Sequence, residues 1–209
     1  MANNDDFLHI NDEYVTTLKT LHDVVAFGTP DMIEKFIDQK HVDVNERGPK
    51  GMTALHLAAS HGDSEKVDKL LDCGANIEAQ DEFGRTPLHH VCGRQAPSTP
   101  MQAIGKLLFK SEISAYSECA ENLIDRGANV NATDGDGWTP LHYSAMHANS
   151  KVAETLVENG ANLAMTDKLG MSAQDVAFAK GNEKLADRLE PAPVRDMTKT
   201  KSKEREMEM

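Results

Sequence analysis

One nine-residue phrase returns along this chain at fixed steps, and that periodicity limits the fold more than any other property. Gly51-Met52-Thr53-Ala54-Leu55-His56-Leu57-Ala58-Ala59 comes back as Gly84-Arg85-Thr86-Pro87-Leu88-His89-His90-Val91-Cys92 and as Gly137-Trp138-Thr139-Pro140-Leu141-His142-Tyr143-Ser144-Ala145. A second phrase, Gly-Ala-Asn, stands at Gly74-Ala75-Asn76, Gly127-Ala128-Asn129 and Gly160-Ala161-Asn162. Thr53 to Thr86 is 33 positions, Thr139 to Ser172 is again 33, and Thr86 to Thr139 is 53, one period and 20 more. A unit this short cannot bury its apolar faces alone, so neighbouring units must stack into one continuous core.

The chemistry within a unit predicts two short helices. Asp81-Glu82-Phe83-Gly84 and Asp134-Gly135-Asp136-Gly137 are turn sequences. Threonine then opens the first helix as N-cap, with proline at the first helical position in two units. Leu55, Ala58 and Ala59 make a narrow apolar stripe at helical spacing, and the small alanines permit close helix approach. A second helix from Asp63 to Leu71 presents Val67, Leu70 and Leu71 on one face, and Gly74 stops it.

Five such units are expected. The first, from about Thr17 to Asn45, keeps Leu21-His22, and its Phe36-Ile37 corresponds to Leu70-Leu71. The fifth carries Asp175 where His142 stands in the fourth. Degenerate end units suit caps whose outer faces meet water. In the third unit the second helix is displaced to Tyr116–Ile124. An insertion at about 96–115 opens with Pro97-Ser98-Thr99-Pro100 and then places Met101, Ile104, Leu107 and Leu108 at helical spacing. Two readings of that insertion are open: an amphipathic helix covering the solenoid, or a second docking element. The expected organisation is an N-terminal segment (1–16), a repeat domain (17–190) and a disordered tail (191–209).

The two interlocking phrases closely resemble the ankyrin repeat, with its T-P-L-H-x-A pattern and 33-residue period. The resemblance implies an all-α solenoid of helix pairs joined by β-hairpin-like loops, working as a protein–protein interaction module, an adaptor or a regulator that inhibits its partner. In that family, recognition residues sit on the hairpin tips and the concave side of the first helices. Those positions here are Phe83, Arg85, Asp136, Trp138, Lys168 and Met171 on the tips, and His61, Met146 and His147 on the helices. The repeat histidine is a structural hydrogen-bonding residue in the family. Asn131 resembles the hairpin asparagine that an iron- and oxoglutarate-dependent asparaginyl hydroxylase modifies. The alternative is a structural spacer or a fragment of a larger scaffold.

Composition narrows the partner. With a net charge of -12, the chain lacks the clustered cations that nucleic acid or an anionic membrane requires, and a protein with a basic surface is the expected partner of a monomer. Three cysteines without CxxC spacing read as free thiols in a reducing compartment. The acidic start is unlike a signal peptide, and no apolar run reaches membrane-spanning length, so a cytoplasmic location is expected, with the nucleus also open. No catalytic constellation appears. His89 beside Cys92 imitates a base and nucleophile, but no orienting group is evident. No metal site, cofactor or enzymatic activity is expected.

Overall fold

The computed structural model describes residues 18–93 and 115–190. The N-terminal segment, the insertion through residue 114 and the tail from 191 onward lie outside the described residues.

Among the described residues, five helix pairs follow one another. The first helices are Leu21–Phe27, Ala54–His61, Pro87–Cys92, Pro140–Met146 and Ala173–Ala179. The second helices are Pro30–Lys40, Ser64–Asp72, residues 115–125, Ser150–Glu158 and Glu183–Arg188. Thr53, Thr86, Thr139 and Ser172 are the N-caps expected from the repeated phrase. In units two, four and five the second helix is capped by a different group, whereas in unit one Thr29 holds that place. Side chains of Asp63, Asn149 and Asn182 accept from the backbone N–H three residues on, at 3.1, 3.5 and 3.3 Å. In those three units the two helices thus start on separate signals.

Each first helix packs on its neighbours in sequence along the stack. Leu55, Leu88 and Leu141 are buried in the shared core, with Ala58, Ala59, Val91, Cys92 and Ala145 at the close helix contacts. Val67, Leu70, Leu123, Val152 and Leu156 fill the layer beneath the second helices. Burial of this continuous apolar seam is the main driving force of the fold.

Register survives the extra 20 residues. At the end of the second helix of unit three, Arg126 donates to Asp68 at 2.7 Å and to Asp72 at 2.9 Å, and within the helix Asn122 donates to Asp68 at 2.8 Å. On its other side Ser117 bonds Thr155 of unit four at 2.9 Å in a buried position. The helix therefore stands between units two and four, where an uninterrupted repeat would place it.

Three non-glycine residues take positive φ among the described residues, His41, Lys50 and Ala148, and the last stands at a first-helix exit. Gly62 and Gly181 leave their first helices at φ 68° and 73°, and the corresponding residue of unit four is Ala148 at φ 54°. A side chain in the left-handed region costs about 1–2 kcal/mol.

Candidate protein-interaction surface

The tips are built on two polar ladders, buried for the most part. The first is the histidine ladder. The Thr53 backbone N–H donates to His56 Nδ1 at 3.1 Å, so Nδ1 is an acceptor and Nε2 carries the proton. That Nε2–H donates to the Arg85 carbonyl of the next tip at 2.9 Å. His89 repeats the arrangement with Thr86 and the Trp138 carbonyl, and His142 with Thr139 and the Met171 carbonyl, each cross-repeat bond at 3.0 Å. His22 reaches the Met52 carbonyl at 2.9 Å, close enough that a Cβ on Gly48 would lie 2.8 Å from its Nε2. Burial lowers the pKa of His56, His89 and His142, against the smaller opposing effect of the carbonyls they bond. In unit five, Asp175 bonds the Ser172 backbone N–H instead and sends no bond onward to a further tip among the described residues.

The second ladder is one of aspartates, which the repeat phrases did not reveal. Oδ1 of Asp81 accepts from Phe83 N and Arg85 N, that of Asp134 from Asp136 N and Trp138 N, and that of Asp167 from Leu169 N and Met171 N, all at 2.8–3.0 Å. Each Oδ2 has a different donor. Arg85 Nε and His90 Nε2 reach Asp81 at 2.8 and 2.9 Å, Tyr143 Oη reaches Asp134 at 2.7 Å, and Trp138 Nε1 reaches Asp167 at 3.0 Å. Burial alone would raise the Asp81 carboxyl, but the bonds from Arg85 and His90 outweigh it and hold it well below the usual range. For His90 burial wins over the Asp81 bond and brings the pKa down to about 4. The spacing was a usable signal: aspartate recurs three residues before the tip glycine, with His90 and Tyr143 each nine residues after it. Unit two has Gly48 at this place and closes its turn through the 3₁₀ segment Pro49–Gly51.

These ladders decide what the tip residues can offer. Arg85 is half-buried, paired to Asp81, and its guanidinium carbon lies 4.7 Å over the Phe83 ring. Trp138 is half-buried, with ring contacts to Tyr143 at 5.3 Å and His142 at 5.8 Å besides its bond to Asp167. Phe83, in contrast, is 54% exposed and Leu169 is 85% exposed. Asp136 and Lys168 are exposed, and Lys168 Nζ donates to the Gly135 carbonyl. Met171 is half-buried against the core. Successive tips are joined through the backbone, Glu82 N to Lys50 O at 3.0 Å, Gly135 N to Phe83 O at 2.8 Å and Lys168 N to Asp136 O at 3.1 Å.

On the first-helix side His61 is exposed, while Met146 and His147 are half-buried. The Nδ1 of His147 is buried without a hydrogen-bond partner among the described residues, and burial, then Lys180, lowers its pKa. His147 helps line a cavity of about 210 Å³ shared with Ser60, Arg85, His89, His90 and Tyr143. Asn131 is half-buried in the loop after unit three. Its amide donates to Gly160 O at 3.2 Å and accepts from Asn162 N at 2.8 Å. Asn45 makes the corresponding pair of bonds to Gly74 and Asn76.

The thiol chemistry is unpromising. Burial pushes Cys92 and Cys119 up to about 12, so neither supplies a thiolate, and both ring nitrogens of His89 are engaged in its ladder. Among the described residues no group of three or more His, Cys, Asp or Glu could hold a metal ion, and no helix is long and apolar enough to cross a membrane.

A family profile described as ankyrin repeats, in three copies, matches residues 21–113 and 107–192. The chain is also similar to neurogenic locus notch homolog protein 1 of Homo sapiens, 32% identical over 135 residues, which covers 56% of this chain and 5% of that protein. Similarity to the tyrosine-protein kinase HTK16 of Hydra vulgaris is 31% over 128 residues, covering 60% of this chain and 14% of the kinase. The chain therefore spans only a small part of these curated relatives.

Proposed function

Because this chain belongs to the ankyrin-repeat family, whose repeats are generally protein–protein interaction modules, we propose that it is an adaptor or inhibitor that holds a partner protein on its hairpin tips and on the concave side of its first helices. The ankyrin repeat is a non-catalytic interaction fold, so binding is the activity to account for.

The observation that carries this reading is the division of labour at the tips. Asp81, Asp134 and Asp167 fix the turns from within, and the Phe83 and Leu169 side chains project into solvent without serving the core. Exposed aromatic and aliphatic knobs on a fixed backbone are low-entropy anchors for a partner. Arg85 and Trp138 serve the surface by bracing those knobs and turns, while Asp136, Lys168, Met171, His61, Met146 and His147 complete it. The net charge of -12 favours a partner with a basic surface and speeds encounter more than it strengthens the complex. Cytoplasm or nucleus suits such a monomeric binder. Hydroxylation of Asn131 would act on a residue that ties two neighbouring loops together.

Affinity capture with mass spectrometry tests the reading, comparing wild type with a Phe83→Ser, Asp136→Lys, Leu169→Ser variant and a His61→Ala, Met146→Ala, His147→Ala variant. Proteins specific to wild type should be lost by at least one variant that keeps its helical circular-dichroism spectrum. An identical set captured by all three would sink the assignment.

A further inference from the structure

The tips carry a readable order of side chains, and it specifies the partner more narrowly than charge does. Lys50, Phe83, Asp136 and Leu169 occupy the same place in successive tips, at steps of 33, 53 and 33. The carbonyls of Lys50, Phe83 and Asp136 each accept a backbone N–H from the following tip, so these residues form one row along the stack. Phe83 and Leu169 are its exposed apolar members, at 54% and 85%. Asp136 stands between them, exposed, with no ion-pair partner among the described residues. Phe83 is also pre-ordered, because the guanidinium lying on one face of its ring is itself anchored to buried Asp81.

The step along the row follows from the packing of the first helices. Each tip leads directly into a first helix, successive first helices pack on one another, and packed helices lie about 8–10 Å apart, so successive tips are stepped by about 10 Å. Phe83 and Leu169 are then about 20 Å apart, with Asp136 midway.

Resting on the binding function proposed above, we infer that this row is a docking strip for a polypeptide segment presenting an apolar side chain, a lysine or arginine, and a second apolar side chain in line at about 10 Å steps. The apolar groups take Phe83 and Leu169, and the cation takes Asp136. A helix meets this spacing at positions i, i+7 and i+14, since seven residues rise about 10.5 Å and complete two turns. A polyproline segment meets it at i, i+3 and i+6, at about 9.3 Å per step. A β-strand does not: three residues span the step, but its side chains alternate, so the central cation would face away.

The test is a display selection of random peptides about 20 residues long, enough to cover the row in either form, on the full-length chain. Selected peptides are then measured by fluorescence anisotropy against Phe83→Ser/Leu169→Ser, Asp136→Lys, the conservative Phe83→Leu/Leu169→Met, and His61→Ala/Met146→Ala/His147→Ala. The expected families carry apolar–basic–apolar rows at one of the two spacings. They should lose about tenfold or more in affinity on the serine variant, as anchor removal does, and keep most of it on the conservative one. Reselection on Asp136→Lys should replace the central cation by Asp or Glu. Peptides that bind the serine variant as well as wild type, or that keep a central cation on Asp136→Lys, overturn the strip. If those peptides are lost on the first-helix variant, the protein-binding function stands and only the strip falls. Recovery of no binding peptide at all overturns the strip, while the binding function stands or falls on affinity capture.

Discussion

Replacing Asp81 by Asn removes one charge from the tip and leaves its shape almost unchanged. Oδ1 can still accept from Phe83 N and Arg85 N, so the turn itself should persist. What is lost is the acceptor at Oδ2, which faces Arg85 Nε at 2.8 Å, Arg85 Nη2 at 2.7 Å and His90 Nε2 at 2.9 Å. An amide there turns a donor toward the guanidinium. His90 can adapt by exchanging its tautomer, but Arg85 cannot. Two charge-assisted bonds at about 1.5–3 kcal/mol each set the upper scale. The Arg85 side chain is 26% exposed and regains some water, which brings the expected cost to about 2–3 kcal/mol. Urea unfolding by linear extrapolation should record that loss, and a double-mutant cycle with Arg85→Ala should return a coupling of about 1–2 kcal/mol. Because the Asp81 carboxyl is held low in the folded chain, its contribution is complete above its unfolded pKa of about 3.9 and is lost as pH falls below that value. The gap between wild type and variant should therefore narrow on acidification from about pH 4. A cost below about 0.5 kcal/mol, or a coupling indistinguishable from zero, would refute the idea that Asp81 organises the tip.

The histidines of the two ladders make a pH prediction of their own. His56, His89, His90 and His142 have folded pKa values below the unfolded value, so stability is full above about 6.5 and falls as pH drops through the folded values. His90, at about 4, should account for about 2–3 kcal/mol of that loss between pH 7 and 4, and a flat urea midpoint over the range would contradict it. Ala148→Gly should stabilise by about 0.5–1 kcal/mol, the relief of a left-handed alanine less the added freedom of glycine unfolded, whereas a fall in thermal midpoint would mean that the methyl packs. Leu88→Ala should cost about 2–5 kcal/mol as a fully buried leucine, read from the urea midpoint, and a cost near zero would mean that Leu88 lies outside the shared core.

The helix pairs were legible because their signals are local and recur. A threonine cap, a Leu-x-x-Ala stripe and a stopping glycine each act within one turn of chain, and their 33-residue return identified them as structure. The cross-repeat hydrogen bonding of His56, His89 and His142 followed from the resemblance to the ankyrin family. Arg85 and Trp138 are a different case. Their place between glycine and threonine put them on the tips, where contact with a partner was the natural expectation. Their bonds to Asp81 and Asp167 arise only when a turn aspartate comes beside a side chain four residues on, or one repeat earlier. The alanine at 148 looks ordinary in sequence, and only alignment with Gly62 and Gly181 exposes it as an exception. The distribution of charge along the tip row likewise needed the tips to be set side by side.

That row rests on main-chain hydrogen bonds from tip to tip, and this has a consequence for how such a surface changes over generations. The carbonyls of Lys50, Phe83 and Asp136 hold the pitch through the main chain, and only at Lys50, at φ 59°, does the backbone itself restrict which side chains fit. A substitution at any of them rewrites one character of the recognition message and leaves the spacing of the other characters alone. Partners can then be exchanged one contact at a time, by drift through folded intermediates. The same property makes these positions the natural ones to randomise when a new binding specificity is wanted from this scaffold.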